Sequence, residues 1–148
     1  MTRQADLRRI ILAGCLALTA ACSVPGEYNV TALKKVPAAA LTYPGSNDVV
    51  RTHNDGTTKN FLRRGNPAAV TLRATSTASP AQVVAYYSKA LVDDGWTQTS
   101  DDPNNTNVPG RTMHVIGWSR AKIGFGLYVW TDPTTKVTAY DTTLAGSI

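Results

Sequence analysis

The stretch SPAQVVAYYSKALVDDGW, residues 79–96, carries the clearest structural pattern in the chain. Ser79 offers an N-cap hydroxyl, Pro80 occupies the first helical position, where no amide donor is needed, and Gln82 completes a capping box. Gly95 follows as a C-terminal stop. The apolar residues between these signals recur at helical spacing and share one face: Val83, Val84, Tyr87, Ala90 and Leu91. We therefore predict an amphipathic helix that packs against the rest of the domain.

The segments on both sides of this helix have the alternating pattern of strands. Before it, Asn54-Asp55-Gly56 is a hairpin turn signal, and the predicted strands are 49–53, 57–63 and 69–75. After it, a polar loop over 101–110 and a turn over 132–135 separate predicted strands at 112–119, 123–131 and 137–142. The order β-β-β-α-β-β-β predicts an α+β domain, with an antiparallel sheet of about five to six strands and one main helix on one face.

The first 21 residues have the three parts of a secretory signal. Arg3, Arg8 and Arg9 form a positively charged start, and the twelve residues from Ile10 to Ala21 are uncharged and mostly apolar. This run is too short for a membrane-spanning helix, which needs about 20 residues. The segment therefore predicts export, and the choice between the general secretory and the twin-arginine route stays open.

The end of this apolar run, Ala20-Ala21-Cys22, resembles the lipobox of bacterial lipoproteins. The resemblance implies that the Cys22 thiol takes a diacylglyceryl group, that the signal 1–21 is removed, and that the new amine is acylated. Leu12-Ala13-Gly14-Cys15 matches the lipobox more literally, but cleavage there leaves an apolar run of five residues, against about 7–15 in such signals. We predict lipidation at Cys22 and a lipid-anchored protein on the extracytoplasmic face of a cell membrane.

Residues 22–47 are predicted to be the lipidated Cys and a tether, because they contain Pro37, Pro44-Gly45 and little periodicity. Residues 48–148 then form a single α+β domain. One alternative stays open for the tether: Val30, Leu33 and Val36 form a short element docked on the domain.

The domain resembles small bacterial lipoproteins of actinobacterial type. Three features carry this resemblance: the Tyr43-Pro44-Gly45 segment, the helix with Tyr86-Tyr87 that Ser79-Pro80 opens, and the Asp94-Gly95-Trp96 exit. These motifs are structural, and the resemblance implies no activity.

Charge and composition exclude several classes of function. Removing the signal takes away three arginines and Asp6, which lowers the formal charge from +5 to +3, and the remaining basic residues are scattered. This is not the pattern of a nucleic-acid-binding protein. Once Cys15 is cleaved off and Cys22 is lipidated, no thiol remains for a disulfide, a metal or catalysis. We predict no metal and no cofactor.

Aromatic residues near the C-terminus suggest a binding surface. If Phe125, Leu127 and Val129 face the helix, Tyr128 and Trp130 point away from it. We expect Trp118 and His114 to share that outer face, and an apolar patch rimmed by polar groups often binds a partner. The candidate binding surface is therefore Trp118, Tyr128, Trp130 and His114, unless the tether covers it or the strand phase is reversed.

The favoured function is a non-catalytic binding or accessory domain of the cell envelope, with an envelope protein or wall polymer as partner. The alternative is a small hydrolase acting on wall or extracellular polymer, in which His114 or His53 works with a carboxylate.

Overall fold

The computed structural model describes residues 29–57 and 65–146, which contain three helices and six strands. The helices are α1 (Val30–Leu33), α2 (Pro37–Ala40) and α3 (Pro80–Asp93). The strands are β1 (Asn47–Asn54), β2 (Ala69–Ser76), β3 (Thr97–Asn105), β4 (Met113–Arg120), β5 (Ile123–Thr131) and β6 (Thr138–Gly146). They form one sheet in the order β1-β2-β6-β5-β4-β3, and every neighbouring pair is antiparallel.

The predicted α+β class with an antiparallel sheet is confirmed, but the predicted chain order is wrong. Two described strands precede α3 and four follow it, and two short helices accompany the main one. The predicted strand 57–63 lies almost entirely outside the described residues. The loop predicted over 101–110 begins only after Asn105, because β3 continues to that residue. The strand contains Pro103, which is tolerated because β3 lies on an edge of the sheet, where a missing amide donor costs no hydrogen bond.

The caps read from the sequence define both ends of α3. The Gln82 amide donates to Ser79 Oγ, and the Ser79 amide donates to Gln82 Oε1 at 2.9 Å, which completes the capping box. At the other end Gly95 adopts a φ of 78°, and the Trp96 amide donates to the Leu91 carbonyl at 2.9 Å. This is a Schellman ending, in which a positive φ after the helix suits glycine.

The core lies between α3 and one face of the sheet. Val83, Tyr87 and Leu91 form the buried face of the helix. The sheet contributes alternate residues of its strands, among them Val70, Leu72, Ile116, Phe125, Leu127, Tyr140 and Leu144. Because strand side chains alternate between faces, this helix side of the sheet is apolar, and the intervening residues point to the opposite, open face.

The segment that precedes β1 is packed onto the domain. Leu33 of α1 and Ala38 of α2 are buried in the same core as α3. The segment from Val30 to Ala40 is therefore packed on the domain, as the docked alternative for the tether expects, and the described part of 22–47 is not a free linker.

Candidate functional site

A groove of about 560 Å³ crosses the open face of the sheet. Its floor and walls come from five strands and from the loop between β3 and β4. Val108, Met113, Tyr128 and Trp130 line its more apolar part. Residues of β1, β2 and β6 line the remainder: Val50, Thr52, Thr71, Leu72, Arg73, Asp141 and Thr143. The groove combines aromatic and apolar surface with hydroxyl and charged groups, which is the usual make-up of a small-molecule site.

Two of the four predicted surface residues lie in this groove. Tyr128 and Trp130 occupy alternate positions of β5 and point to the open face. Tyr128 is 36 % exposed, whereas Trp130 is 7 % exposed and packs with Met113, Val115 and Ala139 in a small cluster of its own. The expected phase of β5 is thus correct, with Phe125, Leu127 and Val129 buried on the helix side.

The other two predicted residues lie on the helix side, so their assignment to the open face is wrong. Trp118 is 1 % exposed and packs in the main core. In the register of β4 and β5, Trp118 lies opposite Phe125 and His114 lies opposite Val129. Directly opposite residues of an antiparallel pair share a face, so both follow their partners to the helix side. Met113 and Val115 of β4 lie on the open face beside Trp130, where His114 and Trp118 were expected.

Sequence reasoning missed Arg111, which the Val108-Pro109-Gly110-Arg111 turn places on the groove. The Arg111 amide donates to the Val108 carbonyl at 3.2 Å, and Gly110 has a φ of 73°. Proline at the second position and glycine at the third are the signature of a type II turn. Both ends of this turn, Val108 and Arg111, line the groove. The Pro109-Gly110 pair is the sequence signal from which this turn could have been predicted.

The Arg111 guanidinium covers the Trp130 ring, with the guanidinium carbon 4.3 Å from the ring centroid. A cation held over an aromatic face is attracted by the ring quadrupole, and tryptophan is the strongest such partner. This contact fixes the cation at the wall of the groove. It also explains why Trp130 is largely buried although it points to the open face.

A second arginine on the groove has a carboxylate partner. Arg73 of β2 donates from Nε and Nη2 to the two carboxylate oxygens of Asp141 on β6, both at 2.9 Å. The hydrogen bond and charge of Asp141 raise the pKa of Arg73 above its ordinary value. The Arg73 side chain is 72 % exposed, so the pair adds little to stability and mainly sets the charge on this part of the groove.

His114 has a carboxylate neighbour on the adjacent strand. His114 Nε2 lies 2.6 Å from Asp101 Oδ1 on the neighbouring strand β3. Within residues 29–57 and 65–146, no serine or threonine hydroxyl forms a hydrogen bond with His114. A nucleophile within reach of the base is the defining feature of a nucleophilic hydrolase site. His53 lies on β1, which is separated from β4 by three strands of the sheet.

The described part of the chain has two further properties that bear on function. It contains no group of three or more His, Cys, Asp or Glu residues that could hold a metal ion. None of its helices is long and apolar enough to cross a membrane.

Comparison with known proteins gives one similarity. A family model described as START domain-like matches residues 51–120, just under half of the 148-residue chain. The matched region runs from within β1 to the end of β4 and includes the groove residues Arg73 and Arg111. No curated protein and no solved structure matches the chain. Over the matched region, the chain is therefore similar to START domain-like proteins.

Proposed function

We propose that this chain is a bacterial lipoprotein whose domain binds a small ligand in the open-face groove. Acyl groups on Cys22 hold it at the extracytoplasmic face of a cell membrane, and the domain acts by binding, without catalysis. The observation that carries the binding function is the groove itself, where Arg111 covers Trp130 beside the exposed ring of Tyr128.

The size and lining of the groove support ligand binding. Its volume of about 560 Å³ falls in the range of small-molecule sites, which is roughly 300–1,000 Å³. Val50, Val108 and Tyr128 leave apolar surface open to solvent on its walls. Water released from this surface on binding supplies a favourable free energy of roughly 25 cal/mol per Å² of apolar area covered.

The position of the groove is compatible with an anchor at Cys22. The docked segment that starts at Asn29 packs on the helix side, and the groove lies on the other face of the sheet. Seven residues, 22–28, precede Asn29. They span at most about 25 Å when fully extended. We therefore propose that the domain sits close to the membrane, with the groove turned away from the point where the chain enters.

Replacing each cysteine in turn tests the anchor. We expect Cys22→Ala to abolish incorporation of a palmitate analogue and to remove the mature protein from the membrane fraction. Cys15→Ala is the matched control and should keep both properties, because that residue leaves with the signal. Loss of labelling in Cys15→Ala with retention in Cys22→Ala would refute the assignment.

A neutral aromatic probe tests the groove. The chain from residue 22 onward, carrying Cys22→Ser, retains every residue of the described core. Titration with N-phenylnaphthylamine should shift the indole N–H resonance of Trp130 and leave that of Trp96 in place. The resonances are assigned with Trp130→Phe and Trp96→Phe.

Two exposed valines provide a matched pair for the same titration. Val108→Ser removes an apolar side chain from the groove, whereas Val92→Ser removes one from the surface of α3. We expect Val108→Ser to weaken binding of the probe about fivefold, since an exposed valine loses about 1 kcal/mol of apolar contact. Val92→Ser should have no effect. Equal effects of both substitutions, or a probe that leaves Trp130 unshifted, would refute binding in the groove.

A further inference from the structure

We infer that the ligand of the groove is a small organic anion. Its carboxylate, sulfate or phosphate group pairs with Arg111, and its apolar part lies against Tyr128 and Val108. This inference rests on the proposed ligand-binding function of the groove and adds the chemical class of the ligand.

The guanidinium of Arg111 has donors available for a ligand. Among the described residues it makes no side-chain hydrogen bond and no ion pair within 4.0 Å, whereas Arg73, Arg120 and His114 each have a carboxylate partner. A guanidinium carries five N–H donors in its plane and no acceptor. The contact with Trp130 takes up none of these donors in a hydrogen bond, so they remain for an acceptor that comes from outside the domain.

The groove carries an excess of positive charge. Arg73 and Arg111 line it, and Asp141 is the carboxylate among its lining residues. Arg73 and Asp141 are paired with each other, so the net positive charge is that of Arg111. The hydroxyl groups of Thr143 and Tyr128 add donors that an oxyanion can use, whereas the Thr71 hydroxyl is already hydrogen-bonded to Thr52.

Asp132, the carboxylate whose charge interacts with that of Arg111, is already engaged elsewhere. Asp132 Oδ1 accepts hydrogen bonds from the amides of Thr134 and Thr135 at 2.9 and 2.8 Å and from the Thr135 hydroxyl. These bonds, more than the charge of Arg111, hold the pKa of Asp132 below its ordinary value. Asp132 therefore stabilises its own turn and makes no ion pair with Arg111.

The turn that carries Arg111 orients the guanidinium before a ligand binds. Pro109 fixes one backbone dihedral of this turn, and the hydrogen bond between Arg111 and Val108 closes it. Contact with Trp130 then restricts the side chain. Because less side-chain freedom is lost on binding, an arginine held in this way binds an oxyanion more tightly than a mobile surface arginine.

A charged probe and its neutral analogue test this inference. Anilinonaphthalene sulfonate and N-phenylnaphthylamine share the same aromatic frame and differ by the sulfonate. Both are titrated into the chain from residue 22 with Cys22→Ser and into the same chain with Arg111→Gln, Arg111→Lys or Lys122→Gln. Lys122 is the matched control, because it is an exposed cation in the β4–β5 turn and does not line the groove.

We expect Arg111→Gln to weaken the sulfonate about tenfold and the neutral probe less than twofold. Arg111→Lys should keep part of the preference for the sulfonate, and Lys122→Gln should leave both affinities within twofold. The Trp130 indole resonance should shift with both probes in the parent chain. Raising the salt concentration should weaken the sulfonate selectively.

Each other outcome has a defined meaning. If both probes shift Trp130 but Arg111→Gln leaves the sulfonate affinity unchanged, the anion inference is overturned and the groove remains a binding site. If neither probe shifts Trp130, the proposed function and this inference both fail. Binding to phosphatidylglycerol vesicles without binding of the soluble sulfonate overturns the inference in favour of a membrane-surface role.

Discussion

The hydroxyl of Tyr140 on β6 lies 2.6 Å from Ser46 Oγ and accepts a hydrogen bond from the Tyr43 amide at 3.2 Å. Tyr140 is fully buried, and its contacts join the segment before β1 to the centre of the sheet. Tyr87 of α3 adds a hydrogen bond from its hydroxyl to the Leu41 carbonyl at 3.3 Å. Two core tyrosines therefore hold the chain between α2 and β1 against the domain.

Tyr140→Phe should lower the free energy of unfolding by about 1–2 kcal/mol, because the Ser46 hydroxyl and the Tyr43 amide lose their shared partner in a partly buried place. Urea denaturation measures this change. Tyr128→Phe is the control, since the Tyr128 hydroxyl makes no side-chain hydrogen bond with the described residues; its effect should stay within about 0.5 kcal/mol. Equal losses in the two variants would contradict the role given to Tyr140.

Stability should fall at alkaline pH through Tyr87. Burial, with a smaller contribution from Tyr140, raises the pKa of Tyr87 far above its ordinary value. A group whose pKa is raised on folding stabilises the fold fully below its unfolded pKa, about 10 for tyrosine, and this stability is lost as the pH rises above that value. Urea unfolding between about pH 9 and 11 should show this decline. Tyr87→Phe should make the profile less steep. An equally steep decline in Tyr87→Phe would contradict this assignment.

The β4–β5 turn allows a stabilising substitution. Ala121 is the first of two residues between the paired Arg120 and Ile123, and it has a φ of 53°. A two-residue hairpin loop with positive φ at this position favours glycine. Ala121→Gly should therefore raise the free energy of unfolding by about 0.5–1 kcal/mol, after the entropy cost of glycine. The same change at Ala85, on the exposed face of α3, should lower it by about 1 kcal/mol. Loss of stability at both positions would refute the strain assigned to Ala121.

The parts of the fold that the sequence predicts are those with local causes. The caps and apolar spacing of α3 lie within residues 79–96 and define the helix without reference to the rest of the chain. The inward set of β5 follows from strict alternation. The face of Trp118 depends instead on the pairing of β4 with β5. Because the turn at Ala121-Lys122 has two residues, counting outward from it places Trp118 opposite Phe125. The length of this turn therefore contained the information needed to assign Trp118 to the helix side.

Contacts over long sequence separations were harder to predict. Leu33 is buried by elements that lie far along the chain, and nothing in its own segment specifies that docking. The candidate site has the same origin, because the groove joins β1, β6 and the loop before β4. Tyr128 and Trp130 could be assigned to it from one strand. Arg111 could not, since its contact with Trp130 arises only when the turn closes over β5.

Asp141→Asn should tighten binding of the sulfonate probe about three- to tenfold. The substitution removes the negative charge of Asp141 and leaves Arg73 without its carboxylate partner on the groove, so the charge facing the ligand rises by one. Tenfold corresponds to about 1.4 kcal/mol, which is reasonable for a charge a few ångströms away in a partly desolvated groove. The neutral probe should bind as before.

Asp93→Asn is the control. It removes a carboxylate from a surface ion pair on α3 and should change neither affinity, because salt screens charges more than about 10 Å apart. Titration of both variants in parallel distinguishes an effect of charge in the groove from an effect of the net charge of the protein. An equal increase in sulfonate affinity in the two variants would show that the probe responds to net charge alone.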